Sequence, residues 1–423
     1  MRVEGLANEQ AYFDAREEQL RKTLERSGIS RRQLLKLGMA GAIAVSGMGR
    51  LVHTAVARAA APIVKPLPAE WFYSYGSNAE MRWDSVDGLG YTIPNERFFV
   101  RDHTVTPIID ATTWRLRVFG SGLRDQPDID HAVELDYDTL RSLPSREATC
   151  FVECAGNGRS FFATQQGTPA GGTQWRLGAI GVARWRGVPL SEVLERARIT
   201  ARAVDVMPQG LDPTVVSNGV DTGHVRRPLP VEKALDDVLL AYEMNGEPLP
   251  PDHGFPVRLL VPGWVGIANI KWVGQLEASQ QPLFSPWNTT SYRLTGPSYP
   301  SDEPPLTEQA VKSAFELAWN TELPAGRPLL LTGRSWSGHG AVRRVEVSTD
   351  GGTSWQPAHL HGPNLPGAWV RWHFHWHPRT SGPYELRARA TDLRGFTQPD
   401  SVPFNDGGYL FWAAVRHPVT VRA

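Results

Sequence analysis

Cysteine is almost absent from this chain: Cys150 and Cys154 are the only two in 423 residues. That rules out a multi-bridge disulfide scaffold and a structural zinc site built from clustered Cys and His. A C-x-x-C-H haem attachment is also missing, because three residues separate the cysteines and Ala155 follows the second. Net charge is absent too. Lys plus Arg and Asp plus Glu both total 44, so there is no bulk electrostatic case for nucleic acid or an anionic membrane surface. Lysine is scarce, six against 38 arginines. Genome composition accounts for most such biases, but guanidinium forks do suit planar and tetrahedral oxyanions. The apolar run Leu37 to Met48 is too short to span a bilayer. There is no Gly-rich dinucleotide fingerprint, no repeated βαβ unit, no internal repeat and no low-complexity tract.

What is present begins with a targeting pattern. "SRRQLLKLGMAGAIAVSGMGRLVHTAVARAAA" sets Arg31-Arg32 before a Gly- and Ala-rich apolar run and ends in Ala57-Arg58-Ala59, a small-x-small pattern. It resembles a twin-arginine signal over residues 1–59 and predicts an exported, periplasmic or extracytoplasmic protein. That route carries folded proteins, so export hints at a cofactor inserted beforehand. The charged stretch "DAREEQLRKTLER" ahead of it reads as helical.

Residues 60–295 mix short strand and helix patterns. "WRLRVFGSGL" alternates as a strand; "SEVLERARI" reads as a helix capped by Ser191. "VEKALDDVLLAYEMNG" reads as a helix running into a strand that ends at the turn dipeptide Asn245-Gly246. "FPVRLLVP" and "IANIKWVGQLEA" are further strand candidates. The proline-rich "GPSYPSDEPPL" marks a boundary. Residues 296–423 then read as regularly spaced strands, with a hairpin at "STDGGTSW", which suggests an immunoglobulin-like sandwich. The expected fold class is α+β followed by an all-β unit.

The cysteines lie in "TCFVEC", which reads as an extended strand. Four residues of strand put their Cα atoms about 13 Å apart, against less than about 7 Å for a disulfide. Cys154 stands next to "AGNGR", where two glycines and an asparagine permit tight turns. Cys150 is most simply a buried small residue. Cys154 suits either a catalytic thiol with a histidine partner or a single thiolate completing a metal held by an organic sulfur ligand. The residues alone do not choose.

"ECAGNGR" resembles the cysteine loop of the sulfite oxidase family of molybdenum enzymes. "RFFVRDHTVTP", "LGAIGVARWRGVPL" and "AYEMNGEPLPPDHGFPVRLLVPGWVGIANIKWVG" resemble further segments of that family, in order. The resemblance implies a mixed α/β molybdopterin-binding fold followed by an immunoglobulin-like dimerisation domain, hence a homodimer. It implies molybdenum-molybdopterin as cofactor, with Cys154 as the metal's thiolate ligand. Arg101 and Arg159 would hold a substrate oxyanion, Tyr292 would donate to a reacting oxygen, and Trp175 would wall the pocket. Phe99, Val100, Arg101, His103, Asp212, His253, Arg258, Asn269, Ile270 and Lys271 would bind the pterin and its phosphate. The implied reaction is sulfite oxidation to sulfate, with electrons passed to an external acceptor such as a cytochrome c, since no haem motif is present. Alternatives are a sulfane dehydrogenase or sulfoxide reductase on the same fold, or an exported binding protein without chemistry.

Two positions depart from the family pattern. Asp102 replaces the usual asparagine beside Arg101, and Gly407 falls where the family often places a third pocket arginine. A separate pattern, "WVRWHFHWHPR", puts His373, His375 and His377 on one strand face. That face suits a transition metal in principle; the plainer expectation is a solvent face, with Val370, Trp372, Phe374 and Trp376 inward.

Overall fold

The computed structural model describes residues 62–217 and 219–423; the proposed export segment lies outside the described residues. No described helix is long and apolar enough to cross a membrane. The described chain forms six sheets joined by short helices, none of them longer than the seven residues of Ser160–Gln166 and Leu190–Arg196. The α+β expectation is met.

The sheet that carries the cysteine loop runs Glu247–Pro248, Leu239–Met244, Ile180–Pro189, Arg146–Glu153, with Arg258–Leu260 also paired to Leu239–Met244. Its last strand is exposed at Arg146 and Glu147 and wholly buried from Cys150 to Glu153. Alternation fails there because both faces are covered, one by the core around Trp185 and Leu260 and the other by the C-terminal strands. A second five-stranded sheet, with Val273–Ser279 at its centre, packs Leu116, Val118 and Leu276 against Val193 and Leu194 of the helix Leu190–Arg196. Pro189, not Ser191, holds the N-cap of that helix, and Ser191 sits inside its first turn. Proline's fixed φ and the preceding strand carry the chain straight into the helix. A three-stranded sheet, Phe72–Tyr75, Asn78–Met81 and Val100–Arg101, delivers Arg101.

"VEKALDDVLLAYEMNG" folds as read, with helix Val231–Asp236, strand Leu239–Met244, and Asn245 and Gly246 both at positive φ in the turn. "IANIKWVGQLEA" is a strand only from Val273 onward. Its first part is a 3-10 turn, Gly266–Ala268, followed by an irregular run.

The C-terminal part is two facing sheets around a core that includes Phe315, Val345, Trp372 and Leu386. Within strand Trp369–Trp376 the inward residues are Val370, Trp372, Phe374 and Trp376, as alternation predicts. Trp369 is buried as well, because its end of the outer face docks on the rest of the molecule. Its indole donates to Tyr91 O at 2.8 Å, and Trp83 packs against both Trp369 and Trp336. His373, at the other end, lies beside His359, His361 and His375, with ring separations of 4.8 to 5.6 Å. Among the described residues no group of three His, Cys, Asp or Glu side chains is placed to hold a metal ion.

All four described lysines point inward onto oxygen. Lys65 caps Phe98 O, Lys233 reaches Asp237 and Pro262 O, Lys271 pairs with Asp102, and Lys312 pairs with Glu153.

Candidate active site and cofactor cavity

Cys154 sits where the strand Arg146–Glu153 stops and the chain turns. Its N–H donates to Ala179 O at 2.9 Å, and the Asn157 N–H closes the turn onto Cys154 O at 2.9 Å. Neither cysteine is in a disulfide and both are buried. Burial pushes the Cys150 thiol up to about 12, so it is inert. Cys154 instead lines a cavity of about 720 Å³, open mouth included.

That cavity collects eleven of the fourteen expected site residues: Phe99, Arg101, His103, Cys154, Asp212, His253, Arg258, Asn269, Ile270, Lys271 and Tyr292. Val100 lies behind it in the strand Val100–Arg101. Trp175 is not on its lining. It is fully buried, edge-on to Tyr75 at 5.6 Å, and its carbonyl accepts from Ser160 N at 3.0 Å. Trp175 thus braces the start of the helix after the cysteine loop, which corrects the expectation of a pocket wall.

Three groups form a compact polar corner. Arg101 Nη2 lies 3.0 Å from His103 Nε2 and 3.5 Å from the Tyr292 hydroxyl, which is itself 3.4 Å from His103 Nε2. Trp287 Nε1 also donates to His103 Nε2, at 3.3 Å. Arginine and indole nitrogens can only donate, so Nε2 is the acceptor and the histidine proton sits on Nδ1. Burial, and then Arg101, hold His103 well below its ordinary value, so the ring is neutral. Burial pushes the Tyr292 phenol up to about 12 and keeps it protonated. Tyr292 also has a left-handed φ of 58°, as do Trp272 on the same cavity lining (53°) and Leu410 (49°), whose N–H bonds Ala155 O. Strained backbone in non-glycine residues concentrates at functional sites.

Arg159 stands outside this corner and joins it through aromatic rings. Tyr409 stacks on Tyr292 at 5.1 Å, and the Arg159 guanidinium lies over Tyr409 at 5.4 Å. Arg159 Nε donates to Gly407 O and Nη1 to Thr173 O. Three glycines make room for it: a Cβ on Gly156, Gly172 or Gly408 would meet its side chain at 2.5 to 3.0 Å. At Gly407 a Cβ would strike the Tyr409 ring at 2.3 Å. The Tyr409 ring thus leaves no room for a side chain at the position where the family pattern often has an arginine. The sequence reading missed Tyr409; the glycine pair just before an aromatic in "NDGGY" was the available signal.

Asp102 does not face Arg101. Its carboxylate pairs with Lys271 and accepts from Thr106 Oγ1 at 3.0 Å, while Thr106 is shared with Asp252 at 2.6 Å. The extra negative charge is thus balanced by the lysine expected at the cofactor phosphate. Arg258 is stapled to His253 O and Asn269 O and buried under Trp185, and burial lowers it to about 10.

The residues fit a bound heterocycle that carries an anion. Asp212 Oδ1, His253 Nε2 and Asn269 Nδ2 are buried polar atoms without a protein partner, and all three residues line the cavity. Such atoms are costly and normally find a partner. One acceptor and two nitrogens beside Lys271 and Arg101 make a mixed hydrogen-bonding and cationic surface, with one thiol at its edge.

Comparison with known proteins agrees. The model of the oxidoreductase molybdopterin binding domain matches residues 103–287, and that of the Mo-co oxidoreductase dimerisation domain matches 310–417. Rat mitochondrial sulfite oxidase (Rattus norvegicus) is 36% identical over 331 residues, covering 74% of this chain and 58% of that protein. Chicken sulfite oxidase (Gallus gallus) is 36% identical over 332 residues, covering 74% and 69%. The chain therefore spans somewhat over half the length of the mitochondrial relatives it matches. Among solved structures, the sulfane dehydrogenase SoxCD of Paracoccus pantotrophus superposes with a TM-score of 0.69 at 26% identity, covering 86% of this chain and 92% of that one.

Proposed function

The chain belongs to the sulfite oxidase family of molybdopterin oxidoreductases, and from that premise we propose that it oxidises sulfite to sulfate and passes two electrons to an external acceptor such as a cytochrome c. When bound, the molybdenum cofactor supplies the two-electron redox centre and the transferred oxygen. The observation that carries the reading is the convergence of Cys154, Arg101 and Tyr292 on one cavity with orphaned polar atoms.

Cys154 Sγ is the soft ligand that this chain offers the metal. Lys271, Asn269, His253 and Asp212 would hold the organic part, the lysine offering a cation to its phosphate and the aspartate an acceptor to a heterocycle N–H. Arg101 holds the substrate oxyanion. Its neighbour His103 stays neutral, so it adds no second positive charge and keeps the guanidinium oriented by accepting from it. Tyr292 keeps its proton at Oη and donates it as a hydrogen bond towards a reacting oxygen. Tyr409 covers Tyr292 and excludes water from that side.

Export through Arg31-Arg32, a periplasmic location, and pairing of two copies through an immunoglobulin-like part from residue 296 onward belong to the same proposal. A second reading, oxidation of a sulfane sulfur, is favoured by Gly407, which stands where the family pattern often has an arginine and packs against Tyr409. Molybdenum analysis of the purified protein, then turnover of sulfite against thiosulfate-type substrates with ferricyanide as acceptor, tests both. Stoichiometric metal with sulfite turnover supports the first reading; absence of molybdenum overturns both.

A further inference from the structure

Along the strand Arg146–Glu153 successive side chains point to opposite sides. Val152 and Cys154 line the cavity, and Glu153 points away from it. A fully buried carboxylate therefore stands on the back of the cysteine. Its partners come from elsewhere in the fold. Lys312 Nζ donates to Glu153 Oε1 at 2.7 Å and Trp336 Nε1 to Oε2 at 2.9 Å. Lys312 and Trp336 are directly opposed cross-strand partners in the C-terminal part. Lys312 also donates to Asn157 O at 3.1 Å, and Asn157 Nδ2 returns to Glu153 Oε1 at 3.0 Å. Gln309 Nε2 donates to the Glu153 carbonyl at 2.8 Å.

The network holds both ends of the four-residue turn Cys154–Asn157: Glu153 before it, and Asn157 as its last residue. A buried ion pair is a poor source of stability compared with apolar packing, and its best-attested use is to fix register. Nothing about sheet docking requires a charge here, because Trp83, Trp336 and Trp369 already supply an apolar contact.

We propose that Lys312 and Trp336 are positioning residues for the reaction: acting through Glu153 and Asn157, the C-terminal sheet fixes the direction in which Cys154 presents its sulfur to the metal. The inference rests on Cys154 being the metal's thiolate.

The test uses the full-length, cofactor-loaded protein and three variants. Lys312→Met strands the carboxylate. Glu153→Gln with Lys312→Met removes both charges and so protects folding. Trp336→Phe deletes one donor and keeps the packing. Amide exchange at Asn157, whose N–H bonds Cys154 O, is expected to speed up by about tenfold or more in both lysine variants. The turnover number should fall by about tenfold or more with KM changed less than about threefold, since Arg101 is untouched. The metal–sulfur distances seen by X-ray absorption should become heterogeneous. Trp336→Phe should show the same changes at smaller amplitude. Recovery of melting temperature in the double variant without recovery of turnover or exchange separates positioning from stability. Variants that melt earlier but keep native exchange, turnover number and metal–sulfur distances would reduce the network to a structural staple and overturn the inference. Wild-type protein without molybdenum would instead sink the functional reading, and the exchange measurement would still report whether the network holds the turn.

Discussion

Replacing Asp212 with asparagine should act with opposite signs on the cofactor-free and cofactor-loaded protein. Asp212 is 2% exposed, and its Oδ1 has no protein partner. Burial pushes its carboxyl from 3.8 up to about 6, with nearby hydrogen bonds and His224 only partly offsetting it. A raised folded-state value means that the native state binds more protons than the unfolded chain between about pH 4 and 6. Stability therefore falls as pH rises through that window. At about 1.4 kcal/mol per pH unit, the cofactor-free protein carries a penalty of about 3 kcal/mol above pH 6 and none below about pH 4. Asparagine removes it. With roughly 2.1 cal/mol/K of unfolding entropy per residue, the expected gain is about 4 °C in melting temperature at pH 7.5, vanishing near pH 4. In the loaded protein the same change replaces a charged acceptor, at a cost of about 1.5–3 kcal/mol, so cofactor retention should weaken about 10- to 150-fold. Calorimetry of both forms across pH 4–8, with pterin release measured by fluorescence, reads both effects. A gain that ignores pH, or that survives unchanged in the loaded protein, would refute the assignment of Asp212 as an acceptor held ready for a ligand.

The two cysteines should separate cleanly: Cys154→Ser abolishes sulfite turnover, whereas Cys150→Ala costs about 1 kcal/mol of stability and leaves kcat within a factor of two by steady-state assay. Gly407→Ala should push Tyr409 off Tyr292, since its Cβ would arrive 2.3 Å from the ring. A drop in kcat/KM of about tenfold is expected, and Tyr409→Phe, which keeps the stack, should lose much less. Because His103 is held neutral and Tyr292 protonated, the wild-type kcat/KM profile should show no step from either group between pH 6.5 and 9. In Arg101→Met the smaller of the two causes holding the histidine low is removed while burial stays, so an acid limb should move up only part of the way towards the ordinary histidine range, together with a raised KM.

Much of the site was legible because its residues sit in short motifs that resemble those of a known family; the residues' own chemistry gave the strand, the turn and the thiol. "ECAGNGR" declares a strand, a turn and a thiol, and the structure puts a buried strand end and a closed turn there. Asp212, in the unremarkable "GLDP", proves to carry one of the orphaned atoms. The misses are residues whose roles depend on distant partners. Tyr409 matters only because Tyr292 lies beneath it, and the partnership of Asp102 with Lys271 spans 169 positions. Trp175 carries the right residue type for a wall but is turned towards Tyr75 by packing that no local pattern encodes. The start of the helix Leu190–Arg196 slipped by two residues, from Ser191 to Pro189 as N-cap, where proline geometry outweighed a serine's capping preference.

The inward turn of every described lysine has a practical side. The exterior of these 361 described residues bears its positive charge mainly on guanidinium, with Lys65 and Lys233 only partly exposed. Amine-directed tags, surface immobilisation through primary amines and lysine acylation have almost nothing to grip there. Slow reaction at Lys271 or Lys312, read residue by residue, will report the opening of their ion pairs, which makes an acylating reagent a clock for how often those parts of the protein breathe.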